Sequence, residues 1–230
     1  MARTVWPTTM SDLIRASSIL IVGAGGHARV VADILLRARE ASGSGEPLGY
    51  LDDEPNLAGQ RMLGLPVLGA ISEISEVDPD AALVAIGDNH RRAEIFNHLL
   101  ELGQVIAAAI HPGAIVAPDV ALGRGVMICA GAVVNTGAIV GDDVILNTGC
   151  TVDHHCRIGA HSHVAPGVHL GGNVSVGEGV LVGIGASVIP HRSLGDWAIV
   201  GAGAVVTRNF PAHVTVVGVP AKETGGQDGC

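Results

Sequence analysis

Hydrophobic and polar positions change rhythm once along the chain. From Ile110 to Val206 every sixth residue is Ile, Val or Leu, through Ile128, Val140, Val152, Val164 and Val188 without a gap. Two positions before most of these stands a small residue, as at Ala132, Ala138, Cys150, Ser162 and Ala186, with Arg192 the clear exception. Glycine often follows the aliphatic, as at Gly123, Gly141, Gly159 and Gly177. A helix repeats every 3.6 residues, so this period excludes one. It predicts very short strands with a corner every sixth residue, the aliphatic and the small residue pointing inward from one strand face. Glycine or asparagine near a corner permits a positive φ. Each rung buries its inner face only by stacking on the next, which makes the core a column of aliphatic side chains.

The first hundred residues lack this period. Residues 19–22 read as a strand that breaks at Gly23-Ala-Gly-Gly-His27 and gives way to a helix reaching about Arg39. Two further strand-like runs follow at 47–51 and 82–86, then a helix around 90–101. This order predicts an α/β domain with a small parallel, Rossmann-like sheet. Gly23-x-Gly25-x-x-Ala28 fits a phosphate-cradling fingerprint at a helix N-terminus. The acidic pair Asp52-Asp53 begins 29 residues after Gly23, later than the roughly 20 expected of a ribose-binding acid in NAD enzymes. A plain turn, NAD and another nucleotide are the three readings of the loop, and the spacing favours the last. Strand ends in such a sheet share one crevice, so Gly23–His27, Asp52-Asp53 and Gly87–Arg92 converge, with His27 and Arg92 as donors for an anion.

Composition narrows the classes. Hydrophobic residues make up 48% of the 230, yet only five are aromatic, as a narrow prism requires. The net charge of −9 speaks against nucleic acid and anionic lipid as partners. No apolar run approaches a membrane span, and the N-terminus has no signal-peptide pattern. Four scattered cysteines form no CxxC and no disulfide scaffold. The expectation is a soluble cytoplasmic protein.

Five histidines fall between 154 and 169. In the six-residue register Val152 points inward, so Asp153, His154 and His155 occupy a corner and face out. A neutral imidazole there can take a proton from an amine or hydroxyl nucleophile near pH 7. The alternative is a merely solvated polar corner, and for His161 and His169 that reading is preferred.

These features resemble the hexapeptide-repeat left-handed parallel β-helix, in which three hexapeptides make one triangular coil. Residues 110–206 then make about five coils. The γ-class carbonic anhydrases share that fold and bind zinc with an H-x4-H pair, a spacing absent between 154 and 169, so no metal is expected. The chain from residue 19 to 222 is similar to the nucleotide-sugar N-acetyltransferases of bacterial glycan synthesis, of bacillosamine and perosamine acetyltransferase type. These are relatives of the sialic acid O-acetyltransferases. The resemblance rests on Gly23–His27, Leu51-Asp-Asp53, Ile86-Gly-Asp-Asn89 with Arg92, Val152-Asp-His-His-Cys156, Ser162-His163 and Gly218-Val-Pro-Ala-Lys222.

That resemblance implies a nucleotide-sugar-binding domain over 17–104, an acetyltransferase β-helix over 105–222 and a disordered tail over 223–230. It implies a homotrimer with acetyl-CoA between neighbouring prisms. The nucleotide-linked amino sugar, a 4-amino-4,6-dideoxy sugar, is held by Gly25, Gly26, His27, Asp52, Asp53 and Gly87. His154 matches the catalytic base, His163 a residue touching acetyl-CoA, and Ile184 and Ala202 positions along its pantetheine arm. The family commonly has an acidic residue after the base, whereas this chain has His155. Either Asp153 substitutes or the base works differently, and a neighbouring imidazolium disfavours the charged form of His154, which moves the pH optimum down. Sugar O-acetylation and a non-catalytic nucleotide-sugar-binding trimer are the alternatives. An NAD-dependent oxidoreductase, which leaves the prism without a role, ranks last.

Overall fold

The computed structural model describes residues 17–43 and 45–224. Residues 1–16, on which the signal-peptide reading rests, and 225–230 of the tail lie outside that range. Glu223 and Thr224, expected in a disordered tail, instead join Lys222 in a strand antiparallel to Thr215–Val217. The backbone of that last strand completes the ladder at the end of the prism.

The N-terminal domain has strands β1 (Ser18–Val22), β2 (Glu46–Leu51), β3 (Arg61–Met62), β4 (Leu65–Gly69) and β5 (Ala81–Val84) in the order β3-β4-β2-β1-β5. All its pairings are parallel except β3 with β4. Helix α1 (Gly26–Ser42) links β1 to β2, a short α2 (Ile74–Val77) precedes β5, and α3 (Asn89–Glu101) follows it. Apolar residues of α1 (Val31, Ala32, Leu35) pack on one sheet face and those of α3 (Ile95, Phe96, Leu99) on the other. The chain leaves β1 towards β2 on one side and returns as β5 on the other. The C-terminal ends of β1 and β5 therefore flank a switch point, where such sheets open a crevice. Gly23 makes this possible: its φ is +105°, and a Cβ would stand 3.0 Å from Ile86 and 3.1 Å from the Ala85 carbonyl.

Ile106 still bridges to Ala82 of β5, so the passage between domains falls just beyond it. Seventeen two-residue strands follow, from Ala109–Ile110 to Val205–Val206. Up to Ser187–Val188, each pairs in parallel with the strand eighteen residues on, as Val134 with Val152 and Leu146 with Val164. This makes three faces. The first carries Met127–Ile128, Ile145–Leu146 and His163–Val164; the second Val133–Val134, Thr151–Val152 and His169–Leu170; the third Ile139–Val140, Arg157–Ile158 and Ser175–Val176. The predicted aliphatic column is buried, and Phe210 at one end is its only aromatic. Arg192, the exception in the pattern, is half-buried and turns its guanidinium to the Pro190 carbonyl at 3.2 Å.

Glycine has two separate jobs at the corners. From Gly125 to Gly203 the third residue of each corner is left-handed, and Asp143, His155, His161, Asn173, His191 and Trp197 hold that conformation beside the glycines. The glycines that follow the aliphatics are needed for another reason. At Gly141 a Cβ would meet the Ala160 backbone of the next coil at 2.7 Å, so coil stacking requires the missing side chain.

The N-terminal domain sits on the first face. Ala24, Ala28 and Val31 share a core with Met127, Cys129 and Ile145. Helix α3 lies against the corner between the third and first faces, where His90 stacks on Trp197 with ring centroids 4.1 Å apart. Asn89 Nδ2 donates to the Gly179 carbonyl at 3.0 Å.

Candidate active site

The crevice loops are braced by the acidic pair. Asp52 Oδ2 accepts the Ala24 N–H at 2.6 Å and its Oδ1 the Glu54 N–H at 2.9 Å. Asp53 Oδ1 accepts the Ile71 N–H at 3.0 Å, and its other oxygen faces Arg91 at 3.4 Å. Helix α3 is capped by Asp88, whose side chain accepts the Arg91 N–H at 2.8 Å. By contrast α1 starts at Gly25 with no capping side chain and no acid in its first turn. A Cβ at Gly25, Gly26 or Gly87 would meet nothing within 4 Å. The positive end of α1 thus opens on free space, the arrangement that receives a phosphate.

Arg92 is not part of that opening. The expectation that it serves a ligand fails because its guanidinium is fully buried and turned into the protein. It bonds Asp143 Oδ2 at 3.1 Å, the Ile86 carbonyl at 3.1 Å, Asn89 Oδ1 at 3.0 Å and the His161 carbonyl at 2.6 Å. One side chain therefore ties the crevice strand end to two successive coils at one corner of the prism. Burial lowers the affinity of Arg92 for its proton, and the Asp143 carboxylate opposes that loss. Asp143 is itself buried, which pushes its carboxyl up, while His161, bonded to it at 2.9 Å, and Arg92 pull it down. His161, expected to be a solvated corner residue, is instead covered by the N-terminal domain, with Phe96 edge-on at 5.5 Å. The six-residue register says that a corner residue points out of the prism; it is silent on what covers it.

His27 and His163 meet across the same seam, with ring centroids 6.2 Å apart. Burial, followed by the charge of Arg92, lowers both to a pKa of about 4, so both are neutral at pH 7. Asn147 gives its Oδ1 to the Thr148 N–H and turns its amide nitrogen to His163 Nε2 at 3.0 Å. That sets the His163 proton on Nδ1, and the ring also bonds the Gly87 carbonyl. His27 Nε2 is buried without a partner among the described residues. Sequence reasoning had no signal for Asn147 or Asp143, each of which acts on a residue from another coil or domain.

The remaining site residues lie on the other two corners. His154 and His155 are exposed at the corner between the second and third faces, with their Nδ1 atoms 3.1 Å apart. Asp153 does not orient the His154 ring, because its Oδ1 accepts the His154 backbone N–H at 2.7 Å and Asn135 Nδ2 at 3.0 Å. Ile184 and Ala202 are exposed at the corner between the first and second faces, one coil apart and joined by a Gly203 N–H to Ile184 carbonyl bond of 2.8 Å. Between these corners the second face carries a groove of about 400 Å³ bounded by Thr151, Asp153, His169 and Ile189. Burial pushes the Cys129 thiol up to about 11 and Cys150 up to about 12, so neither is a nucleophile at neutral pH. Among the described residues, no three His, Cys, Asp or Glu side chains are grouped to hold a metal.

A crevice domain docked on a hexapeptide prism is the architecture of the β-helix acyltransferases that this chain matches. Residues 18–99 match the PglD N-terminal domain, and 154–183 and 173–208 match the hexapeptide repeat of succinyl-transferase. The chain is 40% identical to perosamine N-acetyltransferase from Caulobacter crescentus, solved as a His-to-Asn variant with CoA and GDP-perosamine. It covers 92% of this chain and 99% of that one, with a TM-score of 0.84. The acetyltransferase domain of PglB from Neisseria gonorrhoeae, solved with acetyl coenzyme A, is 36% identical over 91% of this chain and 100% of that one, with a TM-score of 0.85. Protein L142 of Acanthamoeba polyphaga mimivirus is 30% identical over 107 residues, which are 46% of this chain and span 20% of that relative. The chain belongs to the nucleotide-sugar N-acetyltransferase family with the left-handed β-helix.

Proposed function

We propose that the protein transfers the acetyl group of acetyl-CoA to the amine of a nucleotide-linked amino sugar, a 4-amino-4,6-dideoxy sugar, with His154 as general base. The observation that carries this reading is likeness over 92% of the chain to an enzyme solved with CoA and GDP-perosamine. The open α1 N-terminus at Gly25 and Gly26 receives the nucleotide's phosphates. His27, Asp52, Asp53 and Gly87 shape the crevice around the rest. His154 Nε2 takes a proton as the amine attacks the thioester carbon, and the tetrahedral oxyanion collapses with the CoA thiolate leaving. The proton then passes from His154 to the sulfur. Fixing amine and thioester side by side supplies much of the rate, and the base about 10²–10⁴-fold more.

Geometry favours a shared site. The crevice lies over the first face, and the corner with His154 is the one opposite that face. Ile184 and Ala202, proposed to line the pantetheine arm together with His163, lie one face-width from the base, roughly 20 Å for six extended residues. Prisms packed side by side in a trimer bring one copy's His154 corner to its neighbour's crevice and acetyl-CoA. The unpaired, buried Cys129, Cys150 and Cys156 fit the cytoplasm as the compartment. Among the described residues no helix is long and apolar enough to cross a membrane.

The test is CoA-thiol release from acetyl-CoA with UDP-, GDP- and dTDP-linked 4-amino sugars, in wild type and His154→Ala. Turnover on one nucleotide class that collapses in the variant supports the reading. A folded trimer that releases no CoA with any of them overturns it.

A further inference from the structure

His154 stands in an arrangement that its neighbours specify closely. His155 is in the left-handed conformation, φ 58°, which turns its ring back to His154 so that the two Nδ1 atoms stand 3.1 Å apart. Two imidazole nitrogens at that distance share one proton: one donates it and the other accepts. Each ring leans on a glycine one coil away. A Cβ at Gly172 would stand 2.5 Å from His154 Nε2, and one at Gly137 would stand 2.9 Å from His155 Cδ2. Gly172 has no positive φ to require glycine, so the His154 ring itself accounts for the missing side chain.

A carboxylate completes the line. Asp119 Oδ2 accepts the Thr136 hydroxyl at 2.7 Å and the Gly137 N–H at 3.0 Å, which holds it at the glycine on which the His155 ring leans. The Thr136 hydroxyl holds the Asp119 carboxyl below its usual range, and the charge of His155 adds to that. Asp153 is the other carboxylate beside the pair and is bonded to backbone and to Asn135. Thr136, Asn173 and the two glycines around the rings are neutral.

Resting on the activity proposed above, we propose that His155 and Asp119 together replace the acidic residue expected after the base, as a positioning pair for His154. His154 keeps its proton on Nδ1 and donates it to His155 Nδ1, which leaves His154 Nε2 bare for the amine. When Nε2 accepts the substrate proton, the Nδ1 proton shifts towards His155, whose own N–H is then on Nε2. The single positive charge is spread over two rings and faces Asp119. The same shift runs backwards as Nε2 gives its proton to the CoA thiolate, so no proton is gained or lost in the cycle. Neither His155 nor Asp119 touches the reacting atoms.

The experiment is imidazole ¹⁵N NMR of the intact protein with labelled histidine, in wild type, His155→Ala, His155→Glu and Asp119→Asn, with kcat/KM pH profiles beside it. Wild type is expected to show His154 protonated on Nδ1 and bare on Nε2. His155→Ala loses that tautomer and about 10-fold in kcat/KM at neutral pH, and His155→Glu restores both. Asp119→Asn changes the shape of the pH profile and leaves the fold intact. Identical His154 tautomer and titration in wild type and His155→Ala overturn the proposal, as does an unchanged His155 titration in Asp119→Asn. The NMR reads the pair without any turnover, so an absent acetyl transfer sinks the proposed activity while these spectra still decide the pairing.

Discussion

The prism and the N-terminal domain are stabilised by different kinds of order. In the prism, one six-residue rule is applied seventeen times, and each inner strand leans on the strands eighteen residues away on either side. Its stability is a sum of like increments. The N-terminal domain has no repeat and depends on single contacts: the close approach at Gly23, the Asp52 carboxylate on Ala24, the Asp88 cap. Repetition makes a rigid surface, and the outward positions that its rule leaves free carry His154, His155 and His163. The aperiodic domain supplies what a repeat cannot, an open helix terminus. Arg92, Asp143, His27 and His163 lie where the two meet, and there the two kinds of order depend on each other.

The seam is the first place to break. Arg92→Met removes the partner of a buried carboxylate, and Asp143 then costs about 3–5 kcal/mol. Loss of that size is expected in denaturant titrations, with the N-terminal domain releasing before the prism. Trp197 fluorescence in a Trp6→Phe background reports its separation from His90. A single transition at the wild-type midpoint contradicts the seam's importance.

Acid probes the same place more gently. His27 and His163 have folded pKa values of about 4 against an ordinary 6.5. Between those values the unfolded chain binds protons that the folded one refuses, so stability is full above about pH 6.5 and falls as pH drops towards 4. The loss approaches about 3 kcal/mol for either histidine alone. His163→Asn is expected to flatten urea midpoints between pH 6.5 and 4; an equally steep fall in that variant contradicts the assignment.

Gly26→Ala touches only the open side of the comparison. A Cβ there meets nothing within 4 Å, so stability changes by less than about 0.5 kcal/mol. Because the methyl projects from the mouth of α1, nucleotide-sugar affinity is expected to fall about 10-fold, one lost phosphate contact or so. Unchanged affinity by calorimetry would take the phosphates away from that helix end.

The prism was legible from sequence because its rule is local: burial at every sixth position follows from stacking alone. Register also gave the outward corner at 153–155. In the other domain, strands β1, β2 and β5 and helices α1 and α3 were legible from hydrophobic runs and a glycine break. β3 and β4 were not, being a short edge hairpin around Leu63-Gly64 with little buried apolar surface. The crevice loops could be placed together by the strand-end rule, yet Arg92 read as a ligand donor. Its partners Asp143 and His161 lie 51 and 69 residues away, on a corner that no periodicity marks as covered. For the same reason His161 read as solvated.

The central claim is that crevice and base come from different copies, and mixed trimers test it most directly. His154→Ala chains and chains disabled in the crevice by Gly26→Glu are each expected to be inactive alone. Refolded together in equal amounts, they leave half the bases and half the crevices intact, so about a quarter of the wild-type acetyl transfer returns. No return of activity in trimers shown to be mixed would place base and crevice in the same chain and contradict the account.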